Sequence, residues 1–109
     1  MTFQELYSFV ESQARGLDLS KLKDKHEVYV ANITGADGGT ICAVLKDGRM
    51  AISKELPPGA KPSCTATVSM ENVEKMMTGH LNPITAVMTG RIKIKGDIGK
   101  VLMLKDIFT

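Results

Sequence analysis

The stretch MTGRIKIKGDIGK, residues 88–100, holds the residues that look most like working chemistry. Two glycines flank a strand-like run, three basic side chains (Arg91, Lys93, Lys95) alternate with two isoleucines, and an acidic residue follows. A phosphate loop of the Gly-x4-Gly-Lys-Ser/Thr kind needs a lysine on the phosphate and a hydroxyl on magnesium. Here Gly90 and Gly96 enclose five residues and Asp97 stands where the lysine belongs, so a carboxylate would repel the phosphate. A dinucleotide fingerprint needs an acidic residue about 20 positions further on, and the sequence stops before that. A single-strand nucleic-acid groove joins basic residues to aromatic stacking platforms. No aromatic lies between Tyr29 and Phe108, and 14 basic against 12 acidic residues leave a net charge of only +2. The reading is no nucleic acid, with the three basic side chains forming a solvated strand face.

Other reactive residues are equally scattered. His26 and His80 show no His-Glu-x-x-His spacing, and Cys42 and Cys64 show no Cys-x-x-Cys spacing. No metal, no cofactor and no catalytic set is expected. Both cysteines sit in apolar alternating runs, which reads as buried reduced thiols. No run of about 18 apolar residues spans a membrane. The acidic, amphipathic start MTFQELYSFVESQ lacks the regions of a secretory signal. The end DIFT is no peroxisomal address of the Ser-Lys-Leu type. The expected setting is cytoplasmic.

What remains is apolar surface and the elements that position it. Thr2 and Glu5 form a capping box for a helix over 2–15, with Phe3, Leu6, Tyr7, Val10 and Ala14 on one stripe. Gly16 closes it, and a polar connector keeps Leu17, Leu19 and Leu22 for packing. Strands follow at 26–34, 40–46 and RMAIS, with Asp47-Gly48 as a hairpin signal. KELPPGAKP forms a rigid loop. SCTATVS, 63–69, alternates cleanly and ends on Ser69, a cap for a helix at 70–78. Asn82-Pro83 opens another at 83–89. RIKIK is the fifth strand, and Asp97 caps a last helix from Ile98 to Phe108. The order α, β, β, β, β, α, α, β, α indicates an α+β layer within one domain, 1–109.

Two features exceed what such a layer needs. The 109 residues include seven Met, no Trp, three Phe and two Tyr, and methionine adapts to irregular partners. VLML, 101–104, covers all sides of a helix, so it needs a second partner: another part of the fold, another chain or a ligand. The apolar faces assembled this way are Met76 and Met77, then Ile84, Val87 and Met88, then Ile92 and Ile94, and finally Val101, Leu102 and Met103.

The run GHLNPITAVMTGRIKIKGDIGKVLMLKDI, 79–107, resembles the sterol carrier protein type 2 family. That family carries Gly-x-Leu-x-Pro-x-x-Ala-x-x-x-Gly-Lys/Arg-Ile/Leu-Lys-Ile/Val-x-Gly-Asp near its C-terminus. Gly79, Leu81, Pro83, Ala86, Gly90, Arg91, Lys93, Gly96 and Asp97 fall in register. The resemblance implies a five-stranded, mostly antiparallel sheet with helices packed on one face and an apolar cavity between the layers. It implies non-catalytic binding and carriage of a fatty acid, acyl-CoA, sterol-like molecule or other lipid, lined by the ten apolar residues just named. A small stand-alone form is similar to prokaryotic members. The alternatives kept open are a homodimer or interaction module that uses the C-terminal helix with a closed core, or an accessory subunit sheltering an apolar substrate for a partner enzyme.

Overall fold

The structure, a computed structural model, describes residues 1–100. Helix α1 spans Phe3–Arg15. Its N-terminus is held as the sequence requires: Thr2 Oγ1 accepts from Glu5 N, and Glu5 Oε1 accepts from Thr2 N. Strands β1 (Glu27–Thr34), β2 (Gly39–Lys46) and β3 (Arg49–Ser53) make an antiparallel meander. The β2–β3 turn places Asp47 at φ 54° and Gly48 at φ 74°, the two positive angles that a tight hairpin of this twist demands.

Strand β4 (Cys64–Ser69) then returns beside β1, and in parallel. Helices α2 (Met70–Met77) and α3 (Pro83–Met88) follow, and β5 (Ile92–Gly96) runs antiparallel to β4. The sheet order is β3-β2-β1-β4-β5. The fold is α+β as expected, with one parallel pair at its centre and three antiparallel pairs around it. Ser69 and Asn82 cap α2 and α3 through Asn72 N and Ile84 N. Asp97 Oδ1 accepts from Gly99 N, and residues 98–100 are helical. The rest of the expected last helix lies outside the described residues.

Pleating sorts the strand residues into two faces. Register puts Tyr29, Ala31 and Ile33 level with Cys64, Ala66 and Val68. Helices cover this face in two patches. At one end Leu6, Ile33, Ile41, Val68, Met70 and Val73 pack together, with Phe3, Tyr7, Val10 and Ile52 around them. At the other end Leu19 joins Tyr29, Leu45 and Cys64, flanked by Leu17 and Leu22. The polar connector thus supplies its leucines, and it does so through a short 3-10 turn at Ser20–Leu22 that the sequence pattern did not show.

Arg91, Lys93 and Lys95 are exposed on the opposite face, while Ile92 and Ile94 are half-buried under the helices. The close of β5 is tight. Gly96 has φ +111°, and a Cβ there would lie 2.6 Å from the Ser63 carbonyl oxygen and 2.9 Å from Cys64 Cα. Both the angle and the backbone contact forbid a side chain. Gly96→Ala should therefore cost about 2 kcal/mol or more, read as a drop in the urea midpoint with an unchanged m value.

Candidate functional site

Between the two packed patches the helix-covered face is not filled. The centre of the sheet there carries Ala31, Ala43 and Ala66 on three adjacent strands. Their side chains are too short to meet the helices, and an apolar cavity of about 220 Å³ results. Leu6 and Val10 of α1 and Val73 of α2 close it from the helix side. Ile33, Ile41 and Ile52 border one end, Tyr29 and Cys64 the other. A wider groove, about 590 Å³, lies where the Pro57-Pro58 loop crosses the sheet's other face. Its walls mix Lys46, Lys61 and His26 with Val28 and Val44, so it lacks a continuous apolar lining. Chemistry, not volume, selects the first cavity as a site for an apolar ligand.

The cavity contains little that could react. Tyr29 and Cys64 are its lining side chains with a heteroatom. Burial pushes the Cys64 thiol up, and Asp97 and Glu27 add to that rise. Such a thiol stays protonated and inert. Burial likewise pushes the Tyr29 hydroxyl up to about 12, with Glu27, Cys64 and Asp97 contributing. Cys42, fully buried, is also raised by burial. Among the described residues no group of three metal-ligating side chains converges. The arrangement can bind and exclude water.

One charged feature flanks the Tyr29 end. Glu27, 9 % exposed, starts β1 on the same face as Tyr29. Lys100 Nζ donates to its Oε1 at 2.7 Å and lies 2.7 Å from Oε2. Burial works to raise the Glu27 carboxyl, but the Lys100 ammonium and the Ser63 hydroxyl outweigh it and hold the group below its usual 4.5. The pair ties the chain beyond β5 to the first residue of β1.

The ten residues expected to line a ligand are placed as follows. Met76 and Ile92 are half-buried and pack on the first patch. Ile84, Val87 and Ile94 are half-buried too. Met77 is exposed, and Met88 is 82 % exposed. Helix α3 has only six residues and buries Ala86 rather than its larger side chains. None of these seven borders the 220 Å³ cavity. Val101, Leu102 and Met103, and with them a dimer through the C-terminal helix, lie outside the described residues. This cavity is lined by α1, Val73 of α2 and the central strands. The signal for it was the alanine at alternate strand positions, which only the register turns into a cluster.

A model of the SCP-2 sterol transfer family matches residues 9–109. The chain belongs to that family. Among SCP-2 relatives, hydroxysteroid dehydrogenase-like protein 2 of Xenopus tropicalis is 29 % identical over 106 residues, covering 97 % of this chain and 24 % of that protein. Sterol carrier protein 2 of Bos taurus is 30 % identical over 96 residues, covering 80 % and 18 %. The chain thus spans about a quarter or less of the length of these curated relatives. Two solved SCP-2 structures share the fold. Palmitated SCP2L2 from Aedes aegypti superposes with a TM-score of 0.76 at 20 % identity, covering 99 % of this chain and 95 % of that one. Apo sterol carrier protein 2 from Yarrowia lipolytica gives 0.62 at 20 % identity, covering 94 % and 86 %. No helix among the described residues is long and apolar enough to cross a membrane.

The ion pair yields a test. Glu27 has a depressed folded-state pKa, so its contribution to stability is full above about pH 4.5 and is lost as pH falls through the folded value. Lys100→Met should lift the Glu27 pKa above 4.5, because burial then acts without its main opposition. Carboxyl-carbon NMR titration would show the rise, and the melting temperature at pH 7 should drop.

Proposed function

We propose that this protein binds and carries a slim apolar ligand in the cavity between sheet and helices, with no covalent chemistry. The observation that carries the reading is the register of Ala31, Ala43 and Ala66, which opens an apolar space beneath two helices. Its size lies between the roughly 150 Å³ apolar cavity that takes a benzene ring and the roughly 300–1,000 Å³ pockets of drug-sized ligands. That favours a flexible alkyl chain over a rigid fused-ring plate. Membership of the SCP-2 sterol transfer family supports lipid as the ligand class, and a similar fold is known in palmitated form.

Magnitudes agree with reversible carriage. Each buried methylene contributes about 0.8 kcal/mol, against an association cost of about 4 kcal/mol or more. Ten methylenes leave a net of roughly 4 kcal/mol, a millimolar affinity. Further contacts are needed for tighter binding, and dissociation stays easy. A second reading, a domain sheltering an apolar substrate for an enzyme, is favoured by relatives named as dehydrogenase-like, of which this chain spans about a quarter.

Filling the cavity tests the proposal directly. Native mass spectrometry of the purified protein should show co-purifying lipid, and dodecanol should displace an apolar fluorescent dye saturably. Ala66→Leu should weaken that displacement at least tenfold while the melting temperature holds or rises, since the added side chain occupies space already present. Absence of saturable displacement from the unmodified protein would rule the reading out.

A further inference from the structure

The face of the sheet turned away from the helices holds a second concave feature. Loop 54–63 crosses this face between β3 and β4, and a groove of about 590 Å³ lies beneath it. The loop is braced. Ala60 N donates to the Pro57 carbonyl oxygen at 3.0 Å, with Pro58 and Gly59 (φ 76°) at the centre of the reversal. Proline followed by a residue of positive φ is the pairing that a type II turn favours. At the loop's end Ser63 is tied to Val28 twice. Its N–H donates to the Val28 carbonyl oxygen at 2.7 Å, and its hydroxyl oxygen accepts from Val28 N at 3.0 Å. A loop so braced holds its shape without a ligand, so little ordering cost falls on binding. The groove beneath it has the volume of a small-molecule pocket.

Charge is sorted across the sheet. Register sets Val28, Val44 and Ala51 level, and alternation puts Lys46 and its partner Arg49 on their face. Lys93 and Lys95, level with Thr67 and Thr65, share it. The strand carboxylate, Glu27, is level with Leu45 and faces the helices. None of these four cations enters an ion pair among the described residues. Lys46 borders the groove together with His26 and Lys61, and no carboxylate does. Asp47, beside Lys46, and Glu55, in the loop, lie outside its lining. Val28 and Val44 form the floor, and Pro57 and Pro58 the facing wall.

We infer that this groove is a second binding site, for a compact phosphate monoester with an apolar body. The body rests on the two valines against the prolines. The phosphate meets Lys46 and Lys61, point charges that suit a dianion, with the His26 imidazole as a further donor. Neither lysine gives up an ion pair among the described residues to do so. The site lies back to back with the apolar cavity, across β1 and β2, and the inference does not depend on the ligand reading of that cavity.

The test titrates the isotope-labelled full chain, at low salt, with phenyl phosphate, inorganic phosphate and phenol, and follows backbone amide shifts. Phenyl phosphate should shift the amides of Val28, Val44, Gly59 and Ser63 saturably. It should bind roughly fivefold or more tightly than inorganic phosphate, which lacks the ring, and than phenol, which lacks the charge. Lys46→Gln combined with Lys61→Gln should weaken it roughly fivefold or more. The melting temperature should barely move, since both side chains are exposed. Lys93→Gln combined with Lys95→Gln, on the same face but outside the groove, should leave the affinity within about twofold. Shifts that do not saturate, or equal losses from the two double variants, would mean general attraction to a basic face and overturn the site. So would an affinity that ignores Lys46 and Lys61. Inorganic phosphate binding as tightly as the ester would overturn the apolar floor, and phenol doing so would overturn the anion.

Discussion

The cavity between sheet and helices hangs on how β1 and β4 are aligned. Their parallel pairing sets Ala31 level with Ala66 and Tyr29 level with Cys64. Because strand side chains alternate, a slip of one residue would turn the small residues to the far face and bring larger or more polar ones under the helices. The cavity is therefore a property of register. It needs no special backbone geometry and no long side chain. It is the place where three adjacent strands all present a methyl group while the helices rest on longer residues to either side.

That arrangement sets the division of labour among the elements. Leu6, Ile33, Ile41 and Val68 fill one end, and Leu19, Leu45 and Cys64 the other. These two filled ends hold the layers apart at a spacing the central alanines cannot bridge. Close packing is the normal state of a protein interior, so the gap persists only because both ends are well packed. Charge is kept to the rim: the basic side chains of β5 face outward, and the Glu27–Lys100 pair sits beside Tyr29 without lining the cavity.

The elements themselves were legible from local pattern. Thr2 with Glu5, Ser69, Asn82-Pro83, Asp47-Gly48 and the alternation of SCTATVS each announce one boundary or strand, and each is set by neighbours a few residues away. The wall of the cavity was much less legible. Sequence reasoning favours large apolar side chains such as Met76, Met77 and Met88, since burial scales with apolar area. A cavity is written in the opposite sign, as small side chains that come together only across strands. Ala31, Ala43 and Ala66 are unremarkable one by one.

The strand order also has a bearing on how the chain is made. Ribosomal synthesis delivers β1, β2 and β3 together, and their hairpins close locally. The second edge of β1 has no mate until β4 follows; Ser63, next to Cys64, meets Val28 across 35 positions, beyond the Pro57-Pro58 loop. During that interval an unpaired strand edge faces solvent, the situation in which strands meet the wrong partners. The loop with its adjacent Pro57 and Pro58, which cannot join a ladder, and its flanking Lys54, Glu55 and Lys61, is the stretch that emerges meanwhile. The cavity is thus the last feature to exist, formed only when the nascent sheet closes on β4.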